Sequence, residues 1–132
     1  MTSEAGVLQA REYLAAFESG DRSRLAAVLD DNIVWRVGGY HHLSGTYRGR
    51  DELFSYFDRV TAETGSTLRL EPEEILSSDR HTTIFMRVHA ERDGRTMDVT
   101  QAQAFRIGAD GRYTEYWALA DDQASVDEFW GS

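Results

Sequence analysis

Apolar residues recur at helical spacing in the first part of the chain and at alternate positions in the second. Between Ser3 and Ser19, Val7, Ala10, Leu14 and Phe17 fall three or four apart, which lines them along one stripe of a helix. Ser3 suits the N-cap of that helix and Gly20 its stop. Tyr13, three after Ala10 and four before Phe17, shares the stripe. Asp21 caps a second, short helix carrying Leu25, Val28 and Leu29. Asn32 to Val37, rich in β-formers, predicts a first strand. Gly38 to Arg48 reads as a loop. Asp51 to Thr64 predicts a third helix, with Leu53, Phe57 and Val60 on one face and Gly65 after it.

Strand patterns dominate thereafter, in four long segments: Leu68 to Leu76, Thr82 to Arg92, Arg95 to Ile107 and Arg112 to Ala120. Asp93-Gly94 is a two-residue hairpin turn, and Ala109-Asp110-Gly111 is a second turn. Ser125-Val126-Asp127-Glu128 has the form of a capping box for a terminal helix ending at Trp130. Helices followed by an antiparallel meander define an α+β fold, with helices packed on one face of a curved sheet. A chain of 132 residues without linker or repeat makes this one domain, residues 1–132.

The Asp93-Gly94 turn sets a register. With Arg92 opposite Arg95, Val88 faces Val99, Met86 faces Gln101 and Ile84 faces Gln103. One face of this hairpin is then apolar except for Gln101 and Gln103, while Arg87, His89, Asp98 and Thr100 take the other. A buried amide left unpaired costs about 1–3 kcal/mol. The two glutamines therefore either line a cavity that holds ligand or water, or pair with each other or with backbone. Tyr13 poses the same alternative: its hydroxyl points into a pocket or bonds a carbonyl within the core.

Composition removes several chemistries. Cysteine is absent, which excludes disulfides, thiolate nucleophiles and Cys-held zinc or iron–sulfur centres. All 14 basic residues are arginine, so no lysine can form a Schiff base or complete a P-loop. The net charge of −9 repels phosphate backbones and anionic lipid, so neither nucleic acid nor membrane is expected as a partner. No long apolar run and no basic-then-apolar leader are visible, which places the expected location in the cytoplasm. Neither H-x-H nor H-E-x-x-H occurs, so no metal site is expected.

Further candidates are scattered. His41 and His42 sit side by side in the Gly38-Gly39 loop, and neighbours on an extended chain point opposite ways, so one of them is expected in a pocket. Trp35 and Trp117 lie in strands as core or as walls. Arg36 follows Trp35, and Asp121 ends the last strand, where a carboxylate can act as base or cap the next helix.

Five stretches carry a resemblance. They are Glu12 to Phe17 with Gly20-Asp21; Asp30 to Trp35; Leu43 to Asp51; Phe105-Arg106-Ile107 with Asp110-Gly111-Arg112; and Asp121-Asp122-Gln123. In order and spacing the chain resembles the nuclear-transport-factor-2-like superfamily, within the SnoaL-like polyketide cyclase and ketosteroid-isomerase-related group. That resemblance implies a cystatin-like cone, a mainly antiparallel curved sheet wrapped around the N-terminal helices, with a deep apolar pocket and a homodimer paired through the sheet. It implies a small apolar molecule bearing a carbonyl or hydroxyl as ligand, and cofactor-free acid/base chemistry such as isomerisation, cyclisation or dehydration.

The resemblance also implies roles. Tyr13 matches the helix tyrosine that donates to an enolate oxygen in the isomerase branch. Gln103 matches the acidic donor beside it. Arg36 stands where the catalytic aspartate is expected, and an arginine takes up no proton at neutral pH. His42 or Asp121 would then move the proton, while Trp35, Arg36, His41, Met86, Gln101 and Trp117 would contact the ligand. Two alternatives remain: a non-catalytic binding or dimerisation module of the same fold, and epoxide hydrolysis by an Asp–Arg–Asp set including Arg36 and Asp121.

Overall fold

The computed structural model describes residues 3–131. Helix α1 (Glu4–Ser19) starts where Ser3 accepts the Gly6 amide on its hydroxyl at 3.1 Å, and ends on Gly20 in the left-handed region. Helix α2 (Arg22–Val28) is capped by Asp21, which accepts from the Arg24 amide. Strand β1 (Leu29–Val37) follows without a break. Leu29, expected on the helix, is the fully buried first residue of the strand, because its side chain completes the core beneath α2.

The stretch expected to be loop as far as Arg48 contains a short strand, β2 (Gly45–Arg48), which pairs antiparallel with Val34–Val37 at the sheet's edge. Four exposed or half-buried residues carry no alternation of their own. Pairing with β1 makes them a strand. Helix α3 (Gly49–Thr64) buries Leu53, Phe57 and Val60, and ends on Gly65. Strands β3 (Arg69–Ser77), β4 (His81–Arg92), β5 (Arg95–Ile107) and β6 (Tyr113–Ala120) complete a six-stranded sheet in the order β2-β1-β6-β5-β4-β3. Only β1 and β6 run parallel. Pro72 lies on the edge strand beside a register shift, where its missing N–H costs no ladder bond.

Helix α4 (Gln123–Trp130) begins one turn earlier than the Ser125 capping box predicts. Asp122 is the cap: it accepts the Ser125 amide at 3.1 Å, and the Ser125 hydroxyl donates back to it at 2.6 Å. With Asp122 as the cap, Ser125 stands inside the first turn of the helix.

The β4–β5 register is the one expected from the hairpin, with Val88 opposite Val99, Met86 opposite Gln101 and Ile84 opposite Gln103. The outer face carries the Arg87–Asp98 ion pair. The concave face packs on α1 and α3 through an aromatic cluster. Trp35 stacks on Tyr116 at 3.6 Å, Phe105 on Tyr113 at 4.3 Å, and Tyr13 meets Phe105 edge-on at 5.1 Å. At the far end of α1, Gly6 passes so close to Ser77 that any side chain there would collide with the Ser77 hydroxyl.

Candidate functional site

A cavity of about 100 Å³ lies between α1, α3, the concave face of the sheet and α4. Its walls are mostly aromatic and aliphatic. Its polar groups come from Tyr13, Tyr56, Tyr116, Gln101, Gln103 and His41, together with Gln123 of α4. Among the described residues no carboxylate lines it.

The two glutamines resolve the alternative set by the hairpin register by doing both things. Gln103 donates its amide Nε2 to Oε1 of Gln101 at 3.0 Å, and its own Oε1 is buried without a partner. Whichever way the two amides are turned, one polar end of Gln103 stays free. The other orphaned buried atom among the described residues, the Tyr113 hydroxyl, belongs to the core and does not line the cavity.

Tyr13 is buried on α1, and no described residue hydrogen-bonds its hydroxyl, which opens on the cavity. Tyr56 and Tyr116 join it there. Burial, reinforced by the neighbouring phenols, pushes all three hydroxyls well above the ordinary tyrosine range. They remain protonated donors throughout the neutral range.

His41 lines the cavity and is largely buried. Its Nδ1 accepts the Leu43 amide at 3.2 Å. A backbone N–H can only donate, so the neutral ring carries its proton on Nε2. Burial lowers the His41 pKa, partly countered by Asp127 and deepened by His42. The ring is thus a neutral donor.

Other expected site residues lie elsewhere. His42 points away from the cavity: Nε2 meets Glu63 at 2.6 Å and Nδ1 lies 3.3 Å from the Gly131 carbonyl, which ties the loop to α3 and to the end of α4. Adjacent residues diverge, and His41 took the inward side. Asp121 is exposed, and its carboxylate accepts the Thr100 amide at 3.1 Å, extending the β5–β6 ladder. Met86 is fully buried in the core and does not line the cavity. Trp117 is on the outer face, with the Arg106 guanidinium 6.0 Å from its ring, because alternation along β6 sends Tyr116, Ala118 and Ala120 inward instead. Arg36 borders the cavity by its place on β1, but its guanidinium turns outward to Glu115 at 3.1 Å. Arg36 and Asp121 therefore do not form the water-holding set that epoxide hydrolysis needs. Tyr13, Trp35, His41, Gln101 and Gln103 do converge.

Sequence reasoning missed Tyr56, Tyr116, Gln123 and Trp130. Tyr56 was within reach, since it stands three after Leu53 and four before Val60 on the buried stripe of α3. Tyr116 required the β5–β6 register, which places it opposite Phe105 and which a shift at Arg106/Ile107 disguises. Nothing local shows that α4 folds over the cavity.

Among the described residues no helix is long and apolar enough to cross a membrane, and no group of His, Asp or Glu is arranged to hold a metal ion. A curved six-stranded sheet closed by helices around an internal cavity is the cystatin-like, nuclear-transport-factor-2-like class of fold. Residues 10–116 match the SnoaL-like domain, and the chain belongs to that family. An uncharacterized protein of Mycobacterium tuberculosis (strain ATCC 25618 / H37Rv) is 29% identical over 131 residues, 98% of this chain and 99% of the relative. Bal32a, from a soil-derived mobile gene cassette, superposes with a TM-score of 0.91 at 32% identity over 97% of this chain and 98% of its own. IdmH of Streptomyces antibioticus, proposed to be a polyketide cyclase, gives 0.71 at 19% identity over 92% and 97%, a likeness of fold alone.

Proposed function

We propose that this chain binds a small, mostly apolar ring compound in the cavity, its carbonyl oxygen accepting from the Tyr13 hydroxyl and its enol or hydroxyl O–H donating to the free Oε1 of Gln103. The observation that carries this reading is the free amide end of Gln103 beside an unpartnered phenol, inside an aromatic cavity. An orphaned buried amide costs about 1–3 kcal/mol, which a ligand that pairs with it recovers. Tyr13, a neutral donor fixed before the ligand arrives, favours an oxygen on which negative charge develops.

The proposed chemistry follows from what the lining lacks. Among the described residues no carboxylate lines the cavity to take a proton, and the ring lone pair of His41 already accepts the Leu43 amide. A substrate turned over here must be acidic enough to enolise with water as base. A 1,3-dicarbonyl compound of the polyketide kind meets that condition, and the candidate cyclase IdmH shares the fold. Tyr13 would donate to its enolate oxygen, Gln103 Oε1 would accept from a neighbouring enol or hydroxyl O–H, and carbon–carbon bond formation or isomerisation would follow without a cofactor. The second reading, simple binding of the same ligand, is favoured by the same missing base.

Benzoylacetone separates the two. Binding is followed by thermal shift, and enolisation by deuterium exchange at the central carbon. Tyr13→Phe and Gln103→Leu should each keep the fold and lose binding. Accelerated exchange with the native protein supports catalysis, and binding without acceleration supports a binding module. Binding unchanged in both variants would sink the site assignment.

We also propose that two copies pair through the outer face of the sheet. There Phe85, Ala102 and Leu119 stand opposite one another across β4, β5 and β6, and Leu119 is 74% exposed.

A further inference from the structure

A second hollow, about 610 Å³, opens between the C-terminal halves of α1 and α3, helix α2 and the edge strand β3. Its floor is apolar: Leu14, Leu25, Phe17, Phe57, Leu68 and Leu70. Four of these, Phe17, Phe57, Leu68 and Leu70, also line the cavity beside Tyr13. The two spaces are therefore separated by side chains alone. Two of the shared residues, Phe17 and Phe57, meet edge-to-face with ring centroids 5.1 Å apart. Phe17 is only half-buried, so a rotamer change has room to open the wall.

The sizes matter. An engineered cavity of about 150 Å³ is known to take benzene, so the space beside Tyr13, at about 100 Å³, holds no more than one ring. A larger ligand must extend past the partition. Charge on the groove's rim does not select an ion. Arg11, Arg22 and Arg69 are interspersed with Glu18 and Glu71, Arg22 is paired with Asp58 at 2.6 Å, and Arg69 donates to the Ser66 and Leu68 carbonyls.

We infer that cavity and groove form one elongated binding site. The ligand's oxygen-bearing ring sits beside Tyr13, and an apolar tail passes between Phe17 and Phe57 into the groove. This rests on the proposed function and adds the shape of its ligand: a ring ketone with an alkyl or polyene extension rather than a compact polycycle.

The test is a series of phenyl ketones, from acetophenone through butyrophenone to octanophenone, titrated against the full chain. Affinity should rise about fourfold per added methylene. Leu14→Trp, on the groove side of α1, should abolish that gain and leave acetophenone binding unchanged. Thr61→Trp, at an exposed position on the groove's α3 wall, should do the same and covers the case in which the first variant fails to fold. Acetophenone binding with no gain along the series would overturn this inference alone, as would a gain that survives both variants. No binding by any member would overturn the proposed function with it.

Discussion

Gln103 gives its amide N–H to Gln101 at 3.0 Å and keeps a carbonyl for which no described residue supplies a donor. Two residues apart on one strand, both side chains rise from the concave face, and the bond between them fixes the free end of Gln103 instead of satisfying it. Gln103→Leu replaces that orphan with an apolar group of similar size. Gln101 is only half-buried and can turn to water. Urea unfolding should show equal stability or a gain of about 1 kcal/mol. A loss of more than 1 kcal/mol would make Gln103 a structural residue.

Trp35 holds the cavity wall in place. It is 3% exposed and lies flat on Tyr116, 9° from parallel. Trp35→Ala should cost about 3–5 kcal/mol through lost transfer and the void left behind. Trp35→Phe, which keeps a ring against Tyr116, should cost much less. The pair of unfolding midpoints decides whether the stack is structural, and equal costs would contradict it.

His41 couples stability to pH. Its pKa in the folded chain lies below the ordinary 6.5, first because it is buried. Below 6.5 the unfolded chain then binds more protons than the folded one, so this contribution is complete above that pH and is lost as pH falls through it. His41→Asn keeps an acceptor for Leu43 and removes the titration. The stability of the native chain relative to this variant should decline between pH 8 and pH 5. A difference independent of pH would show that the ring titrates alike in both states.

The apolar row on the outer face predicts association. Leu119→Arg puts a charge at its most exposed member and should convert a sedimenting dimer into a monomer with unchanged circular dichroism. Dimers that persist in the variant would place the contact elsewhere.

Much of this molecule was legible locally. Helix caps at Ser3, Asp21 and Gly20, the Asp93-Gly94 turn and the register it sets are short-range effects, and the structure follows them. That register put Gln101 and Gln103 on the apolar face without knowledge of any other element. Strand β2 was not legible, because its only reason to be a strand is a partner ten residues away.

The order of the helices and of the five long strands, the apolar stripes and one hairpin register follow from the sequence alone, since each depends on contacts a few residues apart. Tertiary structure decided the site. It turned His41 inward and His42 toward Glu63, sent Arg36 and Trp117 to the outer face, and brought Tyr56, Tyr116 and Trp130 around Tyr13. The physical reason is that a side chain's direction is set by the pairing of its strand and the packing of its helix, and those partners lie far away along the chain.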